Sequence, residues 1–249
     1  MERTMAEKLT AEFVGTFALI FIGAGSIVAF AGANGLDIVA VALAHGLAIG
    51  VMVSSVGHIS GGHFNPAVTI GMLLTQKIKG KDAVGYFVAQ FAGGIVGALL
   101  LDAALPDQFT KIAHLGTPGV SPGISNGQAV LIEAILTFFL VWVIFATAVD
   151  SEGSFNKIAG LAIGFTISFD VLMGFALTGA AMNPARAFGP QLVGDHWTKF
   201  WVWYVGPIAG GVIAATLYEL LYLRPPEPEA VGPPETGVEE PGPGEATFG

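Results

Sequence analysis

Two stretches decide the reading: Ser60-Gly61-Gly62-His63-Phe64-Asn65-Pro66-Ala67-Val68-Thr69 and Thr178-Gly179-Ala180-Ala181-Met182-Asn183-Pro184-Ala185-Arg186. In each, a glycine-bearing segment runs into Asn-Pro-Ala and then into an apolar run, Asn65–Leu74 in the first case and Asn183–Val193 in the second. A single Asn-Pro marks no more than a helix start, because asparagine is a favoured N-cap and proline a favoured first helical residue. Two copies, each opening a run of the same reduced length, are far more specific. At ~1.5 Å per residue such a run reaches about half-way across the ~30 Å hydrocarbon core of a bilayer. A short helix inside a membrane leaves irregular backbone beside it, and that backbone is tolerated only when buried in protein or facing water. The two stretches therefore predict a lumen.

Around them lie six apolar runs long enough to span a bilayer: Leu9–Ala31, Asp37–Val56, Asp82–Leu105, Gly127–Val149, Ile158–Leu177 and Lys199–Leu223. The first reads as a retained span, since it is too long for the apolar core of a cleavable leader. The halves repeat. Ala11-Glu12-Phe13-Val14-Gly15-Thr16-Phe17 returns as Ile132-Glu133-Ala134-Ile135-Leu136-Thr137-Phe138, Gly46–Gly50 as Gly160–Gly164, and Asn65-Pro66-Ala67 as Asn183-Pro184-Ala185, in the same order. Each repeat holds an odd number of spans, so the second copy is inverted relative to the first. The fold class is an all-α membrane protein of six transmembrane helices and two re-entrant half-helices. Repeat one covers residues 9–105 and repeat two 127–223 of a channel domain spanning 9–223, after a short N-terminus of residues 1–8. Arg3, Lys8, Lys77, Lys79, Lys81, Lys157 and Arg224 fall on one side of this topology and Lys111 and Lys199 on the other, which makes both termini cytoplasmic in a multi-pass cell-membrane protein.

The composition agrees: of 249 residues 53% are hydrophobic and 12% charged, too few charges to cover a soluble domain. The net charge of −9 is concentrated in residues 224–249, a proline-rich stretch with six acids that reads as a disordered tail. This balance argues against nucleic acid as a partner. The absence of cysteine excludes disulfides, thiolate nucleophiles and cysteine-bound metals. His45, His58, His63, His114 and His196 form no metal-ligand or triad pattern, so neither enzyme activity, metal nor cofactor is expected.

The chemistry follows from the half-helices. Each offers unpaired N–H groups and about half a positive charge at its N-terminus, so two ends meeting at the midplane oppose cations, protons included. The Asn65 and Asn183 amides can donate to a passing water, turn its hydrogens away and interrupt a proton-conducting chain. Gly61, Gly62, His63 and Phe64, with Gly179, Ala180, Ala181 and Met182, are the non-helical stretches whose carbonyls are expected to face the lumen.

These motifs, together with the paired Glu12 and Glu133, resemble the aquaporin (major intrinsic protein) family over residues 9 to about 223. The resemblance implies a passive water channel, assembled as a homotetramer with one pore per protomer, and a loop-supporting role for Glu12 and Glu133. It implies a selectivity filter of Arg186, which directly follows the second Asn-Pro-Ala, with His45, Val171 and Ala180, found by counting back from the two asparagines. This quartet is similar to that of plant vacuolar-type members, associated with water plus ammonia, urea and hydrogen peroxide. Ala187, where glycerol facilitators carry aspartate, and the pair Trp203-Tyr204 favour water over the alternative of a glycerol and small-solute facilitator; the small filter residues allow slow glycerol leakage. Ala180 stands where some relatives carry a mercury-sensitive cysteine, which implies mercury insensitivity. A secondary transporter also uses inverted repeats and broken helices, but apart from Asp170 there is no unassigned mid-membrane charge to bind a coupling ion. Asp170 departs from the family pattern: pairing with Arg186, pairing with His45, a lumen-facing role and contact with another subunit all stay open. Protonation of His45 is a further candidate for pH gating. Gly93, Gly94 and Gly97, with Gly206 and Gly210, read as helix-packing positions.

Overall fold

The computed structural model describes residues 3–33, 35–153 and 156–224, so the expectation of a disordered tail lies outside the described residues except for Arg224. Six helices are long and apolar enough to cross a membrane: α1 (Met5–Ala33), α2 (Ile38–Ser60), α4 (Gly80–Ala104), α6 (Asn126–Val149), α7 (Ala159–Thr178) and α9 (Val202–Leu223). Between them sit the half-helices α3 (Pro66–Leu74) and α8 (Pro184–Val193). A short helix in the connector between repeats, α5 (Asp107–Ile112), was not foreseen from sequence, where its apolar positions are too few to show a period. Among the described residues there is no strand.

Local chemistry sets the ends. Thr4 and Glu7 form a reciprocal capping box that starts α1, four residues earlier than hydropathy alone suggests, and Ser125 and Gln128 do the same for α6. Asp37 caps α2 by accepting from the Val39 and Ala40 N–H groups. Helices α2 and α7 both stop at a left-handed glycine, Gly61 at φ +93° and Gly179 at φ +81°. Since these glycines match in the repeat, the two irregular segments leave their helices by the same turn.

The repeats interlock. α2 packs on α7 through Gly46, Gly50, Gly160 and Gly164; a Cβ on Gly50 would lie 3.0 Å from the Gly160 carbonyl oxygen, so the backbones are in contact. Gly93 meets the Phe13 carbonyl across the α1–α4 seam, and Gly210 meets the Ala134 carbonyl across the equivalent α6–α9 seam. Half-helix α3 lies against α9, with a Cβ on Gly211 only 3.1 Å from the Ala67 carbonyl oxygen, while α8 lies against α4 through Gly94 and Ala185. Each half-helix is thus held by a helix from the other repeat, which brings the two N-termini together inside the bundle.

Candidate functional site

At the meeting point, each asparagine does two things with one side chain. Asn65 Oδ1 accepts from the Ala67 N–H (2.8 Å), and Asn183 Oδ1 accepts from Ala185 (2.9 Å) and Arg186 (3.1 Å), capping their own half-helices. The amide nitrogens reach across the pseudo-symmetry: Asn65 Nδ2 donates to the Met182 carbonyl and Asn183 Nδ2 to the Phe64 carbonyl, both at 2.9 Å. Each Nδ2 carries two hydrogens, so one donor per asparagine is left for a further acceptor. Each of these carbonyls therefore holds one hydrogen bond from the opposing amide, Phe64 holds a second from Thr16 Oγ1 at 3.3 Å, and both residues line the cavity.

Two buried glutamates shape the segments upstream. Glu12 Oε1 accepts from Ser60 Oγ (2.7 Å) and the His63 N–H (3.0 Å), and its Oε2 from the Phe64 N–H (2.7 Å) and Gln90 Nε2 (2.8 Å). Glu133 Oε1 accepts from Thr178 Oγ1 (2.6 Å) and the Ala181 N–H (3.0 Å), and its Oε2 from the Met182 N–H (2.8 Å). A carboxylate in the membrane interior is tolerable when its lone pairs are filled in this way. Tyr86 Oη donates to the Ser60 carbonyl (2.6 Å) and Trp203 Nε1 to the Thr178 carbonyl (2.9 Å), closing the same ring in both repeats. Ser60 and Thr178 stood in the quoted motifs, but Tyr86, Gln90 and the bracing role of Trp203 were missed. Aligning the two repeats beyond the motif would have paired Tyr86 with Trp203.

A narrow cavity of about 30 Å³ runs past this centre. One wall is apolar, formed by Leu19, Ile49, Val68, Leu140, Ile144, Ile163 and Ile167. The other carries His45, Gly62, His63, Phe64, Asn65, Ala180, Ala181, Met182, Asn183 and Arg186. It shares Gly62, His63, Val68, Ile144 and Ile163 with a wider vestibule of about 470 Å³ whose rim holds Gly61, Lys8, Lys77, Lys79 and Asp82. At the other end Arg186 Nη1 donates to the Gly116 carbonyl (2.9 Å) and Nη2 lies 3.3 Å from His45 Nε2. His45 Nδ1 sits 2.8 Å from the Val41 carbonyl, so Nδ1 carries the hydrogen and Nε2 is the acceptor facing Arg186. In this arrangement the ring is neutral, and charging it would set a second donor against a guanidinium. That geometry speaks against His45 as the pH gate.

Val171 is buried in the apolar cluster that includes Ala180 and Leu140, and Ile167, one turn earlier on α7, lines the cavity. Gly179 packs against Pro118 of the connector: a Cβ there would meet Pro118 at 2.8 Å. Asp170 pairs with neither Arg186 nor His45, both of its oxygens lack a partner, and at 1% exposure it cannot face another subunit. Among the described residues there is no cluster of three or more histidines and acids that could hold a metal ion.

With this geometry established, the chain can be set beside known proteins. A sequence profile described as "Major intrinsic protein" matches residues 2–218. Aquaporin TIP1-2 of Zea mays is 42% identical over 225 residues, covering 88% of this chain and 87% of the relative, and Aquaporin-4 of Mus musculus is 39% identical over 219 residues, covering 87% and 67%. The X-ray structure of the aquaglyceroporin from Plasmodium falciparum superposes with a TM-score of 0.80 at 29% identity, covering 88% of this chain and 97% of that one.

Proposed function

The chain belongs to the major intrinsic protein family, and from that premise we infer how it works as a multi-pass membrane channel for water. Water passes down its osmotic gradient in a narrow file through the cavity between the half-helices. The apolar wall offers nothing to hold it, while Asn65 and Asn183, which line the cavity, each retain one N–H for a further acceptor. A water that accepts from both has its own hydrogens pushed to either side, so no continuous chain of donors crosses the centre. The two helix N-termini add a positive potential that opposes hydronium and metal cations, and Arg186 repeats that barrier at the outer end. The reading is carried by the reciprocal Asn65–Met182 and Asn183–Phe64 bonds beside a cavity that both asparagines line.

The outer constriction is formed by His45, Val171, Ala180 and Arg186, with Val171 and Ala180 in one apolar cluster. Ala180 leaves that ring less polar than a hydroxyl or thiol would, which admits small neutral solutes such as ammonia, urea, hydrogen peroxide and glycerol as secondary permeants. Ala187 and the Trp203-Tyr204 pair favour water over a primary role in glycerol transport. Residues 9–223 form the channel domain. Both termini lie in the cytoplasm of a cell-membrane protein, a placement supported by Lys8, Lys77 and Lys79 around one vestibule and by the Lys77–Glu219 ion pair at 3.0 Å on that face. By family resemblance the channel is a homotetramer, for which light scattering on the purified protein is the check.

The deciding experiment is stopped-flow light scattering on proteoliposomes. Shrinkage in an impermeant osmolyte is compared with uptake of glycerol, urea and ammonia. Water permeability well above empty liposomes with slower solute uptake is the expected result; solute uptake without enhanced water flux would favour the facilitator.

A further inference from the structure

Gly116, the carbonyl partner of Arg186, ends an unusual stretch of backbone. His114, Leu115 and Gly116 are all left-handed, at φ +45°, +54° and +72°, a region that is strained for a non-glycine residue. Leu115 is buried and Gly116 abuts Ala24 of α1, so the segment is pinned on one side. On its other side the His114 ring stacks on His196, with centroids 4.4 Å apart and planes 25° from parallel. His196 follows α8 directly, its N–H donating to the Gln191 carbonyl (3.1 Å), and Arg186 lies in the first turn of that same helix. The left-handed segment therefore touches α8 at both ends, through the ring stack at the C-terminus and the Arg186–Gly116 bond at the N-terminus.

We propose that His114 and His196 are positioning residues for Arg186: their stack holds the Gly116 carbonyl in place, and protonation of both rings releases it. Near-parallel rings direct their nitrogens side by side and not toward a common point, which is unsuited to holding one metal ion but suited to stacking while at most one ring is charged. Two imidazolium rings at this separation repel, and the strained backbone provides the direction of relaxation. The charged groups facing the pair are Asp102 at the end of α4 and Asp107 and Lys111 on α5, which share a cavity of about 310 Å³ with His114, and Asp195 and Lys199, which flank His196 in the chain. Lys111 is engaged by Asp107 at 3.2 Å. Burial and the neighbouring His114 hold His196 below the ordinary histidine range, so the second proton binds on the acid side of that range and the stack is intact at neutral pH.

Freed of the Gly116 carbonyl, Arg186 keeps only His45 as a partner and swings into the file, reducing water flux. This inference rests on the reading of Arg186 as a constriction residue. The test is water permeability of full-length protein in proteoliposomes between about pH 7.5 and about pH 5, for the wild type, His114→Phe and His196→Phe. Phenylalanine keeps a stacking ring and removes the charge. The expected result is a several-fold fall for the wild type and a flat profile for both variants, each with wild-type flux at neutral pH. A wild-type flux that is present but independent of pH would overturn the proposal and leave the channel reading intact, as would a pH response unchanged in the variants. Flux no greater than that of empty vesicles would remove both.

Discussion

The inner segment, residues 60–69, and the outer segment, 178–187, are built to one plan and differ at three places that matter. Both leave a helix through a left-handed glycine, both hang from a buried glutamate, and both end on an asparagine that caps one half-helix and reaches the other segment. Left-handed backbone recurs at matching positions, Gly62 and Phe64 in one and Ala180 and Met182 in the other. The differences are Val68 against Arg186 and His63 against Ala181 within the segments, and Gln90 against Pro207 at matching positions of the helices beside them. Scaffold chemistry is therefore shared, and selectivity is added to one copy. On the function proposed above, the symmetric midplane rejects charge from both directions, and the single arginine makes one end the filter.

The comparison can be broken most severely at the glutamates. Glu12→Ala strands four buried donors and Glu133→Ala three, so each is expected to destabilise the fold by ~3 kcal/mol or more, Glu12→Ala the more strongly. Thermal unfolding in detergent followed by tryptophan fluorescence would show this, and equal melting temperatures to wild type would refute the hanging of the segments from these carboxylates. Next is Arg186→Val, which makes the outer copy match Val68. Water flux should persist while glycerol and urea uptake rise by roughly tenfold, the equivalent of about 1.4 kcal/mol of lost barrier; unchanged solute uptake would place the filter elsewhere. Gln90→Leu removes the donor that the second repeat does without. It also removes a bond to Thr69 Oγ1 at 2.9 Å, and the expected loss is about 1–2 kcal/mol. A loss as large as that of Glu12→Ala would mean the two segments are not equivalently supported. Smallest is Asp170→Leu. Since both Asp170 oxygens are buried without a partner, an apolar side chain of similar size is expected to be neutral or stabilising by about 1 kcal/mol, and a marked fall in melting temperature would reveal a partner.

What the sequence disclosed, and what it hid, follows the range of the interactions. Asn-Pro at a helix start is local chemistry, so both half-helices and their inverted relation could be read directly, as could all six spans from length and hydropathy. Glu12 and Glu133 stood out because a carboxylate in an apolar run needs an explanation. Tyr86, Gln90 and Trp203 did not, since an aromatic or an amide in a transmembrane helix is ordinary until the segment it braces is seen. The count that located His45 and Ala180 also named Val171, but counting fixes a position along a helix and not which way its side chain faces. Ile167, one turn away, lines the cavity. The Gly116 carbonyl could not be foreseen, because nothing in His114-Leu115-Gly116 announces a left-handed run or its distant arginine.

The central claim is that reciprocal asparagine bonds at a symmetric midplane let water through while breaking its hydrogen-bonded chain. It is tested most directly by recording osmotic water flux and proton leak in the same proteoliposomes, the leak read with an enclosed pH-sensitive dye under an imposed gradient. The account predicts water permeability far above that of protein-free vesicles and a proton leak indistinguishable from theirs. A proton leak that rises with the amount of reconstituted channel in step with water flux would contradict it.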